Sequence, residues 1–254
     1  MSNNICLFQF GDGKMVKNLF SMIKDVIDDI MIIVTKNEIK IINMNKEEDI
    51  LVDITLEVVN LEEFNVEKDK IMFCVDSHVL YKVLNFCENK KPVLFYIKEN
   101  DFENGMVKFL HVKIDENLSC IKTIENEVEI HCEKLDYDVE CKVETKVFLK
   151  KLRNVLLNAD TLNLCYRNSL LTMINDNEFV KINNKIENDV ILCKNNDNYE
   201  EKFLSKNIKT LLKVVSFSES LVLCLLEKSP LLVEIDLFDI GSLCLYFKTI
   251  MQSE

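Results

Sequence analysis

The sequence predicts an α+β fold of two similar domains, each with two helices packed on antiparallel sheets. Three observations carry this. Two pairs of stretches repeat along the chain, the first part of each stretch has helical periodicity, and the remainder is short, β-rich and bounded by polar turns.

The first helical stretch is KMVKNLFSMIKDVI, Lys14 to Ile27, with Val16, Leu19, Phe20, Ile23, Val26 and Ile27 at a spacing near 3.6. It leads into IMIIVTKNEIKIINM, two strands about a Lys-Asn-Glu turn. The same order returns in KVFLKKLRNVLLNADTLNLCYRNSLLTMI, where Leu149, Leu152 and Leu156 take the places of Val16, Leu19 and Ile23.

The second pair is HVLYKVLNFCENKKPVLFYIKE from His78 and KNIKTLLKVVSFSESLVLCLLE from Lys206, which superpose without a gap. Leu80, Val83, Leu84 and Cys87 meet Ile208, Leu211, Leu212 and Val215, and Val93, Phe95 and Ile97 meet Leu221, Leu223 and Leu225. A repeat this long fits a duplicated domain rather than a solenoid. The acidic stretch 122–138, KTIENEVEIHCEKLDYD, reads as the connector between domains at 1–121 and 139–254. Loops are expected at Asn60 to Glu63, Asn100 to Gly105, Asn183 to Asp189 and Asn195 to Lys202. The chain closes on an apolar hairpin, Leu231 to Leu237 and Ser242 to Phe247, preceded by Pro230, one of only two prolines.

Composition narrows the function classes. Hydrophobic residues at 48% and charged residues at 29% are those of a folded globular chain, and no apolar run is long enough to span a membrane. The ten cysteines are scattered singly in apolar runs, which suits small core side chains in a reducing, intracellular compartment. His131, Cys132 and Cys141 lack a fourth ligand at metal-binding spacing, so neither a metal nor another cofactor is expected. No P-loop, GxGxxG, HExxH or GxSxG occurs, and four glycines are too few for most phosphate-cradling loops; no catalysis is expected.

A net charge of -12 argues against a nucleic-acid partner until its distribution is mapped. The helical stretches carry Lys14, Lys17 and Lys24, then His78 and Lys82, then Lys146, Lys150, Lys151 and Arg153, then Lys206, Lys209 and Lys213. Spacings of three, four and seven put these on one face of each helix, opposite the apolar stripe. On a single helix such lysines only solvate a surface. Recurring at matching places in a duplicated chain, they suit a layer that meets duplex phosphates without reading bases.

The ending SPLLVEIDLFDIGSLCLYF, together with LFSMIKDVIDD and INMNKEEDILVDITL near the start, resembles the proliferating cell nuclear antigen family of DNA sliding clamps over nearly the whole chain. The resemblance implies the DNA clamp fold and a head-to-tail homotrimeric ring lined by helices around double-stranded DNA. It also implies a processivity role for DNA polymerase in replication and repair, a separate clamp loader, and a nuclear location in a eukaryotic cell. By position it assigns DNA contact to Lys17, Lys24, Lys82, Arg153 and Lys213; helical face alone adds Lys14, Lys150, Lys206 and Lys209. It implies a pocket for a peptide with an aromatic pair at Met44, Leu51, Ile130, Pro230 and Tyr246.

Three places depart from the family pattern. KTI follows Tyr246 and Phe247 where the family has Ala-Pro-Lys, Asn168 stands at the family's regulatory lysine, and the connector reads IHCE in place of Leu-Gly-Ile-Pro. Two alternatives stay open: a subunit of the heterotrimeric DNA-damage checkpoint clamp, and a clamp-like viral processivity or transcription factor. Ring closure would use edges near Val112 to Ile121 and Glu178 to Ile186.

Overall fold

The computed structural model describes residues 3–125, 130, 132, 135–157, 159–176, 181–186, 189–194, 198–238 and 240–250. The chain divides into two compact units: Met1–Asn45, Val52–His131 and Asp239–Ser242 form one, and Lys46–Leu51, Cys132–Phe238 and Leu243–Glu254 the other.

The first unit runs β1 (Asn4–Phe10), α1 (Gly13–Ile23), β2 (Asp29–Thr35), β3 (Glu38–Met44), β4 (Ile50–Glu57, its first two residues counted with the second unit), β5 (Glu63–Val66), β6 (Lys70–Asp76), α2 (Ser77–Leu84), β7 (Val93–Lys98), β8 (Phe102–Glu103), β9 (Met106–Val107), β10 (Phe109–Ile114) and β11 (Asn117–Lys122). The second runs β12 (Val139–Glu144), α3 (Thr145–Val155), β13 (Thr161–Arg167), β14 (Leu170–Asp176), β15 (Lys181–Ile186), β16 (Asp189–Cys193), β17 (Asn198–Leu204), α4 (Ser205–Ile208), a 3-10 helix over Lys209–Ser216, β18 (Ser220–Leu225), β19 (Leu231–Asp236) and β20 (Gly241–Phe247). This is the α+β architecture expected from the repeats, with two main helices and antiparallel sheets in each unit.

Each unit is itself doubled, and its two halves exchange their first strands. The strand that precedes one helix pairs with the strand that follows the other: β1 with β7, β6 with β2, β12 with β18 and β17 with β13. The resulting orders are β11-β10-β7-β1-β5 and β4-β3-β2-β6 in the first unit, and β15-β14-β13-β17 and β16-β12-β18-β19-β20 in the second.

Backbone hydrogen bonds pin the helix starts in the same reciprocal way. Gly13 N–H donates to Lys91 O (2.8 Å), Ser77 to Asp28 O (2.7 Å), Thr145 to Glu219 O (2.9 Å) and Ser205 to Asp160 O (2.9 Å). Each acceptor lies just beyond the partner helix of the same unit, so the start of one helix is tied to the exit of the other. First-turn N–H groups have no partner within the helix, and these bonds supply one. The four donors are small and buried; at Gly13 an added Cβ would stand 2.9 Å from Lys91 O. Asp12 also caps α1, accepting from the Lys14 and Met15 N–H groups, and Asp76 caps α2 by accepting from Val79 N–H.

The apolar stripes face the sheets. Val16, Leu19, Phe20 and Ile23 of α1 are buried, as are Leu80 and Leu84 of α2 and Leu149, Leu152 and Val155 of α3. In the first unit Phe8 stacks on Phe95 (5.0 Å between centroids) and Phe10 meets both edge-on.

Three expectations are corrected. The fourth helix is α-helical for four residues only and then 3-10, because its buried positions fall three apart, at Ile208, Leu211, Val214 and Phe217. That is the 3-10 period, and Thr210 and Val214, β-branched, are weak α-formers. Leu212, expected in the core, is half-buried. The loops expected at Asn183 to Asp189 and Asn195 to Lys202, apart from 187–188 and 195–197, which lie outside the described residues, are strand: β15 pairs with β14 and β17 with β13, and ladder pairing overrides the loop preference of their Asn-rich sequence. The expected hairpin is present as β19 and β20.

Candidate nucleic-acid interface and partner pocket

The helices owe their charge to what they omit. α1 contains two basic residues, α2 one, α3 four, and α4 with its 3-10 extension three; none of these segments contains an acidic residue. In a chain of 43 Asp and Glu against 31 Lys and Arg, the acids among the described residues all lie outside these four segments.

The nine expected DNA-facing residues fall into two groups. Lys14, Lys82, Lys150, Arg153, Lys206, Lys209 and Lys213 are exposed. Among the described residues, no ion pair engages Lys14, Lys82, Lys150, Arg153 or Lys209, and Lys206 stands 3.8 Å from the Asp49 carboxylate. Lys17 and Lys24 are half-buried and already engaged. The Lys17 ammonium donates to Asn85 O (3.0 Å) at the end of α2, and Lys24 pairs with Asp25 (2.6 Å) and lies 4.9 Å over the Tyr81 ring of α2. These two lysines join α1 to α2 as well as adding charge. In α3, Lys146, Lys150 and Arg153 share one face, whereas Lys151 donates to Lys185 O of β15. The 3-10 turn separates Lys213 from the stripe of Lys206 and Lys209, since residues three apart eclipse in that geometry.

The expected pocket residues divide between the units. In the first, Met44 is exposed at the end of β3 and Ile130 is half-buried. In the second, Leu51 is buried, Pro230 is exposed before β19, and Tyr246 is half-buried on β20. Pro230 and Tyr246 are linked through a residue that sequence reasoning missed. Tyr137, 1% exposed, packs on Cys224 and Leu232 beside Tyr246 and donates its hydroxyl to Pro230 O (3.4 Å). It is the single Tyr in an acidic connector that has no Phe or Trp, and that isolation was the available signal. Burial drives the Tyr246 hydroxyl well above the ordinary tyrosine range, and does the same to Tyr137.

A further groove in the first unit, about 400 Å³, lies along the edge of β6, where Ile124 N–H donates to Cys74 O (2.8 Å), between Met31, Met72, Phe73, Met106 and Ile124. None of the expected pocket residues lines it. Among the described residues, no helix is long and apolar enough to cross a membrane, and no cluster of His, Cys, Asp or Glu is arranged to hold a metal ion.

Comparison with known proteins places this geometry. The chain is 24% identical to the "Probable DNA polymerase sliding clamp 1" of Paramecium bursaria Chlorella virus 1, with 91% of each chain covered. It is 19% identical to "Proliferating cell nuclear antigen 2" of Plasmodium falciparum, covering 88% of each. Its structure superposes on the crystal structure of proliferating cellular nuclear antigen from Entamoeba histolytica with a TM-score of 0.85 at 16% identity, over 98% of this chain and all of the other. The family profile of the proliferating cell nuclear antigen N-terminal domain matches residues 7–140, more than half of the sequence. On that match the chain belongs to the proliferating cell nuclear antigen family.

Proposed function

We propose that this protein is a DNA sliding clamp: it encircles duplex DNA, tethers a DNA polymerase and serves as a docking platform for replication and repair proteins. The observation that carries the reading is the acid-free basic character of all four main helices in a chain of net charge -12. Helix-borne Lys and Arg attract phosphates without specifying bases, so DNA is held and free to slide. The acidic remainder repels DNA from other surfaces.

The ring is a head-to-tail homotrimer. β11 ends one sheet of the first unit and β15 ends one sheet of the second, so each unit offers an open edge for a neighbouring copy. The clamp domains are residues 1–121 and 139–254, joined by the connector 122–138, and the protein has no catalytic step of its own. Lys14, Lys17, Lys24, Lys82, Lys150, Arg153, Lys206, Lys209 and Lys213 face the DNA. Met44, Leu51, Ile130, Pro230 and Tyr246 receive the aromatic-pair peptide of a partner. A separate ATP-driven loader opens the ring, and in a eukaryotic cell the protein works in the nucleus.

Light scattering tests the assembly: the expected mass is about three times 29.7 kDa. A monomer at micromolar concentration overturns the homotrimer and favours a heteromeric ring. Stimulation of a polymerase on primed circular DNA tests the activity.

A further inference from the structure

The basic faces of α2 and α3 end in the same way. In α2 the face runs Val79, Lys82, Phe86, and in α3 it runs Lys150, Arg153, Leu157, both at spacings of three and four. Each thus passes from its last basic residue to a large apolar one four positions on. The chain keeps its helical course to that point: Phe86 N–H donates to Val83 O (3.4 Å), Cys87 N–H to Leu84 O (2.9 Å), and Leu156 N–H to Leu152 O (2.9 Å). Phe86 and Leu157 therefore stay on the basic face. They are 67% and 62% exposed, and among the described large apolar residues only Val59 is more so.

One exposed apolar side chain is an ordinary surface feature. Here two recur at the same offset, each beyond a basic residue, Lys82 or Arg153, that no ion pair engages among the described residues. Both are also held in place. The Lys17 ammonium donates to Asn85 O (3.0 Å), next to Phe86, and the buried Asn175 amide donates to Val155 O (2.9 Å) and Leu157 O (3.4 Å). Cys87 and Leu156 beside them are buried and anchor each turn to the core. An apolar side chain on a fixed turn has little freedom left to lose on binding.

We propose that Phe86 and Leu157 lie against the sugars next to the phosphates held by Lys82 and Arg153, and that this contact makes the basic layer prefer DNA to RNA. It rests on the sliding-clamp reading. Charge selects the occupant: two helices with basic residues and no acid suit a polyanion better than an apolar peptide. Residues four apart on a helix stand about 5–6 Å from each other, so the apolar side chain reaches the backbone group adjoining the phosphate, which is a sugar. A deoxyribose has only hydrogen at C2′. A ribose has a 2′-hydroxyl there, and an apolar side chain strips its water without returning a hydrogen bond. Sugar contacts carry no sequence information, so the preference leaves the clamp free to slide.

Anisotropy titrations at one salt concentration compare a labelled DNA duplex with an RNA duplex of the same sequence. The unaltered protein should bind the DNA more tightly. In the double variant Phe86→Ser, Leu157→Ser, affinity for DNA should fall about tenfold while affinity for RNA does not fall. Its salt slope on DNA should stay that of the unaltered protein, because no charge is lost. The pair Phe86→Leu, Leu157→Met keeps the apolar surface and should keep the preference for DNA. Urea unfolding checks the fold; were the double variant unstable, each single Ser variant should lose about threefold on DNA alone. Unchanged DNA affinity, an equal fall on both duplexes, or a reduced salt slope overturns the proposal. Loss of polymerase stimulation with DNA affinity intact also overturns it and assigns the face to a protein partner. Unaltered protein that binds neither duplex overturns the sliding-clamp reading itself, and this contact with it.

Discussion

Replacing Lys82, Lys150, Arg153 and Lys209 together by Ala removes four exposed charges that no acidic partner engages among the described residues. Each phosphate contact adds about 0.9 to the slope of log affinity against log salt. Between 50 and 200 mM salt, one contact thus accounts for about 3.5-fold in affinity, and two lost contacts for roughly 12-fold. The cost in stability should stay within about 0.5 kcal/mol per site, since the side chains are exposed and Ala favours helix. Anisotropy of a labelled duplex titrated across that salt range reads the slope, and urea unfolding reads the stability. The double variant Lys17→Ala, Lys24→Ala makes the contrast. It gives up the Lys17 bond to Asn85 O and the Lys24 contact with the Tyr81 ring, about 1 kcal/mol or less each. Its salt slope should change less than that of the quadruple variant. An unchanged slope in the quadruple variant, or a larger change in the double one, refutes the division of the basic residues into exposed and engaged sets.

Gly241→Ala should destabilise the first unit by more than about 2 kcal/mol, because the residue sits at φ +150° and a Cβ there would stand 2.0 Å from Thr55 O; denaturant unfolding checks this. Leu211→Ala should cost about 2–5 kcal/mol and Leu212→Ala less than half as much, whereas in an α-helix both would lie on the face of Ile208 and cost about the same. Stability should also fall at alkaline pH. The folded state raises the Cys6 and Cys141 thiols to about 12, so their contribution is complete below the unfolded thiol value near 9 and is lost as pH rises towards 12. Each such thiol contributes a slope of about 1.4 kcal/mol per pH unit. Unfolding measured at pH 7.5, 9 and 10 should display the decline, and Cys6→Ala should flatten it.

Much of the fold was legible because its signals are local. The apolar stripes of α1 and α3 and the β2-β3 and β19-β20 hairpins carry their periods in consecutive residues, and the duplication appears as a gapless repeat. What could not be read depends on the partner strand. β15 and β17 are strands because β14 and β13 pair with them, although Asn183, Asn184 and Asn198 prefer loops. The 3-10 period of Lys209–Ser216 is equally hidden, since Leu211, Leu212 and Val214 fit either helix until burial selects Leu211 and Val214. At the candidate site the lysines were legible as a face. The engagement of Lys17 and Lys24 was not, because it requires α2 beside α1. Tyr137 was passed over because the acidic residues around it dominated the reading of the connector.

Helices without acids forgo the i,i+4 ion pairs that ordinarily support an exposed helix, and Lys146 with Lys150 adds a like-charge pair at that spacing, unfavourable by a few tenths of a kcal/mol. A basic residue in the last turn favours the dipole in all of these helices but α1, by a few tenths of a kcal/mol to about 1 kcal/mol, which is not enough to hold a short helix. Their stability must therefore come from tertiary contacts, and the structure supplies these at both places where a helix can be held. The buried stripe holds the middle, and the four backbone bonds from Gly13, Ser77, Thr145 and Ser205 hold the starts. Strand exchange makes those bonds possible, because each helix begins directly after a strand, or a two-residue turn, whose ladder lies in the sheet of the opposite half. A helix face that is free of structural duties can carry whatever charge its ligand requires. The repeated topology thus explains how four basic helices persist in an acidic chain without the local pairing that their sequences lack.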